Sequence, residues 1–174
     1  MAPLAIMHGG NQEQRNNYLT KMSENSIQIG VGFSEYIGAR DNANISINDN
    51  KISGRALFVI DAKDASHLML SDKNGMIGIV ESSSSGIEIT ELVAVDKTRN
   101  FLEVQLKDVD IDILELTSTS KEAIDKSIDA GRIILAADSL GASQALIDKA
   151  VEYSKERKQF NSCLLYTSDA ADEP

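Results

Sequence analysis

Residues Ser120 to Asn161 form the stretch that most constrains this chain, SKEAIDKSIDAGRIILAADSLGASQALIDKAVEYSKERKQFN. It holds no proline, and only Gly131 and Gly141 weaken it as a helix. Thr119 and Glu122 have the spacing of a capping box. At ~1.5 Å per residue, about forty residues make a rod of ~60 Å. That is too long for the wall of a small domain, so the spacing predicts a bundle or a subunit contact.

The helical period sorts its side chains into faces. Asp138, Asp148, Lys149, Glu152, Lys155 and Glu156 make one narrow polar wedge. Ile128, Leu135, Ala142, Leu146 and Tyr153 make one apolar stripe, and Ile133, Ala137, Leu140, Ile147 and Val151 a second. A helix apolar on most sides is expected to be buried between layers. Arg132 and Arg157 fall on the Leu135/Tyr153 side, away from the wedge. A guanidinium there needs an anion, since it keeps its proton and bare burial is costly. Two anions qualify: a buried carboxylate in an ordinary ion pair, or a ligand.

The 174 residues suffice for one domain or for a piece of something larger. Apolar content of 42% and charged content of 25% match a soluble globular chain. A formal net charge of −10 argues against a nucleic-acid backbone as partner. No run approaches the ~20 apolar residues of a membrane span, and no signal segment opens the chain, so a cytoplasmic setting is expected. The single cysteine, Cys163, excludes an internal disulfide framework and a Cys-rich zinc site, and His8 and His67 lie far apart. No metal site is expected.

Before the long helix the period changes twice. Gln12 to Ser23 is polar, with Tyr18, Leu19 and Met22 at helical spacing, and reads as a short helix with one buried edge. From Ile27 to Phe33, apolar residues alternate with Gln28, Gly30 and Gly32, the pattern of a strand. Gly38-Ala39-Arg40-Asp41 follows as a turn. Asn48-Asp49-Asn50 and Asp72-Lys73-Asn74-Gly75 then punctuate further β-prone runs as hairpin loops. Leu57 to Ile60, Ile87 to Ile89, Leu92 to Val95 and Phe101 to Ile113 continue the series. Roughly eight short strands without intervening helices predict an antiparallel sandwich or barrel. The fold class is therefore α+β: a β-domain between a short N-terminal helix and a long C-terminal one.

The chain lacks a Walker loop, a GxGxxG run and a GxSxG elbow. No carboxylate pair stands out by spacing. Ser162 to Pro174, SCLLYTSDAADEP, does not continue the apolar period and resembles translated sequencing-adapter read-through. It is expected to be non-native, its alternative being a short acidic tail.

From Asp129 onward, DAGRIILAADSLGASQALIDKAVEYSKERKQFN resembles the acyl-CoA dehydrogenase family. That family shows Asp-x-x-Arg, a small-residue segment around Leu-Gly, then Tyr-x-x-x-Arg-x-x-Phe and a glycine. The counterparts are Asp129 and Arg132, Leu140-Gly141, then Tyr153, Arg157 and Phe160, with Asn161 in place of glycine. Upstream, EQRNNYLTKM from Glu13 is similar to the family helix that leads into the middle domain. GFSEYIGARD from Gly32 resembles a Thr-Glu-Pro…Gly-Ser-Asp segment, with Ser34 for threonine, Tyr36 for proline and Arg40 for serine. ISGRALFVID resembles the Asn-Gly-x-Lys-x-Trp-Ile-Thr strand, with Ala56 for lysine, Phe58 for tryptophan and Ile60 for threonine. LEVQLKDVDID from Leu102 resembles the strand that closes the middle domain.

The resemblance implies a truncated family fold: residues 1–25 end an N-terminal helical domain, 26–117 form the middle β-domain, 118–161 the first long helix of the C-terminal domain, and 162–174 the non-native tail. It implies α,β-dehydrogenation of an acyl-CoA thioester by a glutamate base and FAD, with electron-transferring flavoprotein as reoxidant. The base is expected in a C-terminal part beyond Asn161, so no catalytic residue is assigned and the fragment alone is expected to be inactive. Asp129 and Arg132 match positions at the CoA substrate. Arg157 and Phe160 match positions at the FAD of a neighbouring subunit, in a homo- or hetero-oligomeric dimer of dimers. Ser34, Phe58 and Ile60 match the sheet side of the flavin site, where Ile60 has no threonine hydroxyl. Plain structural roles stand beside these: Ser34 as a strand-end residue, Phe58 and Ile60 as core, Phe160 as helix-end packing. An eroded sheet side with a preserved helix side raises two alternatives, a half-site partner subunit of a heteromeric enzyme and a non-enzymatic acyl-CoA-binding scaffold.

Overall fold

A computed structural model of the chain describes residues 1–38, 42–118, 121–159 and 162–164. The chain divides into two compact units, Met1–Ala130 and Gly131–Pro174. The expected turn at Ala39-Arg40-Asp41, Thr119 of the capping box, Phe160 and Asn161 lie outside the described residues, as do residues 165–174.

The first unit opens with two helices, α1 (Ala2–Gly9) and α2 (Gln12–Ser23). Asn11 caps α2 reciprocally: its side chain accepts the Gln14 N–H at 2.8 Å, and the Gln14 side chain accepts the Asn11 N–H at 3.1 Å. The apolar period predicts α2 with these bounds. It does not predict α1, whose eight residues are too few to display a helical face of their own.

Eight strands follow: β1 (Ile29–Gly32), β2 (Ser46–Asn48), β3 (Lys51–Ile60), β4 (His67–Ser71), β5 (Ile77–Glu81), β6 (Ile87–Leu92), β7 (Phe101–Asp110) and β8 (Asp112–Ile113). They join one sheet in the order β6-β7-β3-β1-β4-β5-β8, with β2 paired to β3. The β2–β3 hairpin turns through Asp49 and Asn50, both at positive φ, which suits the two-residue hairpin geometry. One pair departs from the antiparallel expectation: β1 runs parallel to β4, Val31 opposite Met69. The thirty-odd residues between them allow the return that parallel pairing needs.

Alternation along β4 and β5 shows how the sheet is used. Leu68, Leu70 and Val80 enter one core with Ile52, Ala56, Val59, Leu102, Val104 and Val109 of β3 and β7. Two halves of the sheet therefore pack on each other, as a sandwich requires. Met69, Ile77 and Ile79 face the other way, into a second core with Ala5 and Ile6 of α1, Tyr18 of α2, and Ala123 and Ile124. The α+β class read from the sequence is the observed one.

Strand β3 carries two irregularities against β7, between Ile52 and Gly54 and between Ala56 and Val59. Gly54 sits at φ +121, and a Cβ there would lie 2.0 Å from the Asn44 carbonyl oxygen. Only glycine fits that crossing.

The long helix α3 spans Glu122–Glu156. Its first turns belong to the first unit. In the second unit, residues 132–153 are exposed throughout, with Ile133 70%, Leu140 74%, Leu146 69% and Tyr153 52% accessible. The expected burial of both stripes is thus not met within this chain, because nothing in the unit supplies the apolar surface they need. The helix ends at Glu156, and Lys158–Gln159 (β9) pairs with Ser162–Cys163 (β10).

Candidate functional site

Three of the proposed contacts meet at the β1–β3 junction. Ser34 follows β1 and is 5% exposed; its Oγ accepts the Leu57 N–H at 3.1 Å. Its own O–H remains a donor. Leu57 lies in the second bulge of β3, where Phe58 takes φ +56. That conformation is uncommon for a bulky residue and costs about 1–3 kcal/mol. The Phe58 ring is 37% exposed and meets Phe101 edge to face, with centroids 6.3 Å apart and planes at 83°. Ile60 is half-buried and pairs with Val31 of β1 and Phe101 of β7.

The alternation of β7 places Leu102 and Val104 in the core, and hence Phe101 and Glu103 on the opposite face. Glu103 holds Arg55 through two bonds of 2.7 Å, to Nε and to Nη2. This bidentate pairing holds the Glu103 carboxyl below the usual carboxylate range and raises the Arg55 guanidinium. The Arg55 side chain is 38% exposed and the Glu103 side chain 12%, so solvent screens the pair mainly from the arginine side.

The loop after Ser34 is tied down separately. The Tyr36 hydroxyl donates to Asp125 Oδ1 at 2.7 Å, and the Lys121 ammonium lies 5.8 Å from the Tyr36 ring centroid. The hydrogen bond to Asp125 is the main reason that the Tyr36 phenol is pushed up. Tyrosine at this position thus fixes the Ser34 segment to the start of α3, which a proline ring would not do.

On α3, Asp129 and Arg132 are exposed and three positions apart. Arg157 follows the helix end; its Nη1 donates to the Tyr153 hydroxyl, and its guanidinium carbon lies 5.4 Å from the Tyr153 ring centroid. Arg132 and Arg157 stand ~37 Å apart along the axis, too far for one small group to touch both. Phe160, the fourth residue proposed for the helix side, lies outside the described residues. The contacts of Phe101, Arg55 and Tyr36 were not legible in the sequence, since they depend on bulge, register and tertiary contact, which one-dimensional spacing does not carry.

Among the described residues no group of His, Cys, Asp and Glu is placed to hold a metal, and no helix is long and apolar enough to cross a membrane.

The family model described as acyl-CoA dehydrogenase, C-terminal domain, matches residues 122–169. The chain is 27% identical to the protein named Probable acyl-CoA dehydrogenase YngJ of Bacillus subtilis, over 89% of this chain and 46% of that one. The chain is a relative of the acyl-CoA dehydrogenases. It is also 36% identical to the 3-(aryl)acrylate reductase of Clostridium sporogenes, over 62% of this chain and 25% of the relative. To the CarC subunit of the caffeyl-CoA reductase-Etf complex of Acetobacterium woodii it is 32% identical, over 62% and 24%. The chain thus spans between a quarter and a half of these relatives' lengths. In fold it matches a glutaryl-CoA dehydrogenase of Mycobacterium smegmatis solved with FADH2, at a TM-score of 0.79 and 16% identity, over 95% of this chain and 46% of that one.

Proposed function

We propose that this chain is part of an FAD-dependent oxidoreductase that desaturates an acyl-CoA thioester between its α and β carbons. The observation that carries the reading is the Asp129/Arg132 and Tyr153/Arg157 series along α3 and just past its end, inside the segment matched by the family's C-terminal domain. Residues 1–25 would close an N-terminal helical domain, 26–117 form the middle domain, 118–161 open the C-terminal domain and 162–174 be a non-native tail.

The residues at the β1–β3 junction suit one face of a flavin: an exposed phenylalanine ring, a half-buried isoleucine and a serine whose O–H is still available. FAD, when bound, would supply the two-electron acceptor. Ser34 would donate one hydrogen bond to it, while Phe58 and Ile60 offer apolar area and no donor. Arg132, exposed and permanently charged, would bind the anionic CoA part, with Asp129 setting its direction. Arg157 would present its guanidinium to the pyrophosphate of FAD held by a neighbouring subunit, and Phe160 would pack beside it. The proton-abstracting base belongs to no residue described above. The names of the relatives support an electron-transferring flavoprotein as redox partner and an oligomeric assembly. A cytoplasmic setting accords with the helices described.

The sheet side has lost two polar contacts expected of the family, which favours one second reading: a half-site subunit that lends Arg157 to a sister subunit and holds little FAD itself. The visible spectrum of the full-length protein decides between them. A flavin band at one FAD per subunit, bleached anaerobically by an acyl-CoA, is the expected result. A colourless protein that turns yellow only with its sister subunit overturns the first reading for the second. A yellow protein unchanged by any acyl-CoA overturns both in favour of a non-enzymatic scaffold.

A further inference from the structure

We infer that Tyr36 is a positioning residue for the reaction proposed above. Its hydroxyl latches the turn that carries Ser34 to the first turn of α3, and so sets the placement of the cofactor-facing Ser34 hydroxyl relative to the substrate-facing Asp129. The inference rests on the acyl-CoA and FAD reading and gives a part in it to a residue that touches neither ligand.

The link is stiff along its whole length. At the sheet end, Ser34 Oγ accepts the Leu57 N–H at 3.1 Å. In the middle the backbone closes on itself: the Ile37 N–H donates to the Phe33 carbonyl at 3.1 Å, and the Gly38 N–H to that of Glu35 at 3.3 Å. At the helix end the Tyr36 hydroxyl donates to Asp125 Oδ1 at 2.7 Å. Asp125 precedes Asp129 by four positions on α3, so the two share one helix face, ~6 Å apart along the axis. The ring of Tyr36 is seated as well. A Cβ on Gly75 would lie 3.2 Å from Tyr36 Cε2 and 3.5 Å from Lys121 Cγ, so hairpin, ring and helix meet without a gap. The hairpin that carries Gly75 is itself a fixed wall, because Asp72 Oδ1 accepts the N–H groups of Asn74 and Met76, each at 2.9 Å.

Stability gains little from the Tyr36–Asp125 bond. Asp125 is exposed, so water competes for its carboxylate. Placement gains more. Without the bond the Ser34 turn follows the sheet, while the first turns of α3 follow the second core through Ala123 and Ile124, and Ser127 through its 3.0 Å bond to the Met1 carbonyl. Two groups on separate supports then share no common reference. Reaction rate is sensitive to that, since groups that must meet for chemistry tolerate an offset of only ~0.5 Å.

The test uses the full-length protein with FAD bound and reads three quantities. They are the dissociation constant of FAD, that of coenzyme A itself, and the anaerobic rate at which saturating butyryl-, octanoyl- or 3-phenylpropanoyl-CoA bleaches the flavin. Tyr36→Phe keeps the ring on Gly75 and loses only the donor. It is expected to slow bleaching about tenfold while both dissociation constants stay within about twofold of wild type. Asp125→Asn keeps an oxygen for the Tyr36 hydroxyl and should bleach within about twofold of wild type. Asp125→Ala should match Tyr36→Phe, and the double variant should be no slower than either, because both remove the same bond. Should Tyr36→Phe fail to fold, Asp125→Ala carries the same expectation. Wild-type bleaching in Tyr36→Phe and Asp125→Ala, or losses that multiply in the double variant, refutes the latch while the FAD reading survives. A loss of FAD or coenzyme A affinity as large as the loss of rate makes Tyr36 a support for binding and overturns the positioning role. If the wild-type protein holds no FAD, or none of the three thioesters bleaches it, the dehydrogenase reading falls and the latch with it.

Discussion

The hydroxyl of Ser34 accepts the backbone N–H of Leu57 at 3.1 Å, joining the end of β1 to the bulge of β3 that carries Phe58. Both ends of this bond are buried. Ser34→Ala would leave the Leu57 N–H unpaired, at a cost of about 1–3 kcal/mol. The loss should appear in urea unfolding of the flavin-free protein, because the bond does not require a ligand. A wild-type unfolding curve for Ser34→Ala would show that the bulge is held by other contacts.

Gly54 gives a sharper expectation. Its φ of +121 is closed to side chains, and a Cβ would stand 2.0 Å from the Asn44 carbonyl oxygen. Gly54→Ala adds backbone strain to a clash with main chain, which cannot rotate away, for a total of at least ~3 kcal/mol. Against the usual margin of about 5–15 kcal/mol, that predicts a large fall in Tm or insoluble protein. A Tm within two or three degrees of wild type would contradict the crossing.

A third prediction concerns alkaline pH. The Tyr18 hydroxyl donates to Asp112 Oδ2 at 2.7 Å, and Gln14 Nε2 donates to Asp112 Oδ1 at 2.6 Å, so α2 is pinned to β8. Burial, then the hydrogen bond to Asp112 and its negative charge, push the Tyr18 phenol well above its ordinary value. The folded state therefore keeps a proton that the unfolded chain gives up near pH 10. The stabilisation is complete below that pH and falls as pH rises toward the folded value, at no more than ~1.4 kcal/mol per unit for one proton. Unfolding measured from pH 8 to 11 should show the wild type losing stability relative to Tyr18→Phe only above pH 10. Parallel curves would remove Tyr18 from the alkaline response.

Much of the β-domain was legible because alternation is a local signal. Leu102, Val104 and Leu106 announce both β7 and its buried face, and Asn48-Asp49-Asn50 announces the β2–β3 turn. The parallel β1–β4 pair was not legible, since Ile29–Gly32 reads the same whichever neighbour it takes. Sequence marked Ser34, Phe58 and Ile60 through a resemblance, and the fold brings them together. It did not mark the contact of Phe101 with Phe58, which depends on the one-residue shift of the bulge. It marked Tyr36 only as a replacement for proline, because its partner Asp125 is eighty-nine positions away.

The second unit carries the last prediction. Ile133, Ile134, Leu135, Leu140, Leu146, Ile147, Val151 and Tyr153 are each at least 40% exposed on one helix. Their spacing makes two continuous apolar stripes, larger than the scattered residues an isolated soluble surface tolerates. Burying a leucine side chain contributes about 1.5–3 kcal/mol, so a few such contacts suffice to drive association. The 174-residue chain, expressed as it stands, is expected to self-associate or precipitate. Leu140 and Leu146 lie on different stripes, and replacing both with glutamate should weaken association at least tenfold, since each change removes more than ~1.4 kcal/mol. Size-exclusion chromatography with light scattering over a concentration series reads this directly. A monodisperse monomer of the unaltered chain at high concentration would show that the stripes attract no partner of their own kind.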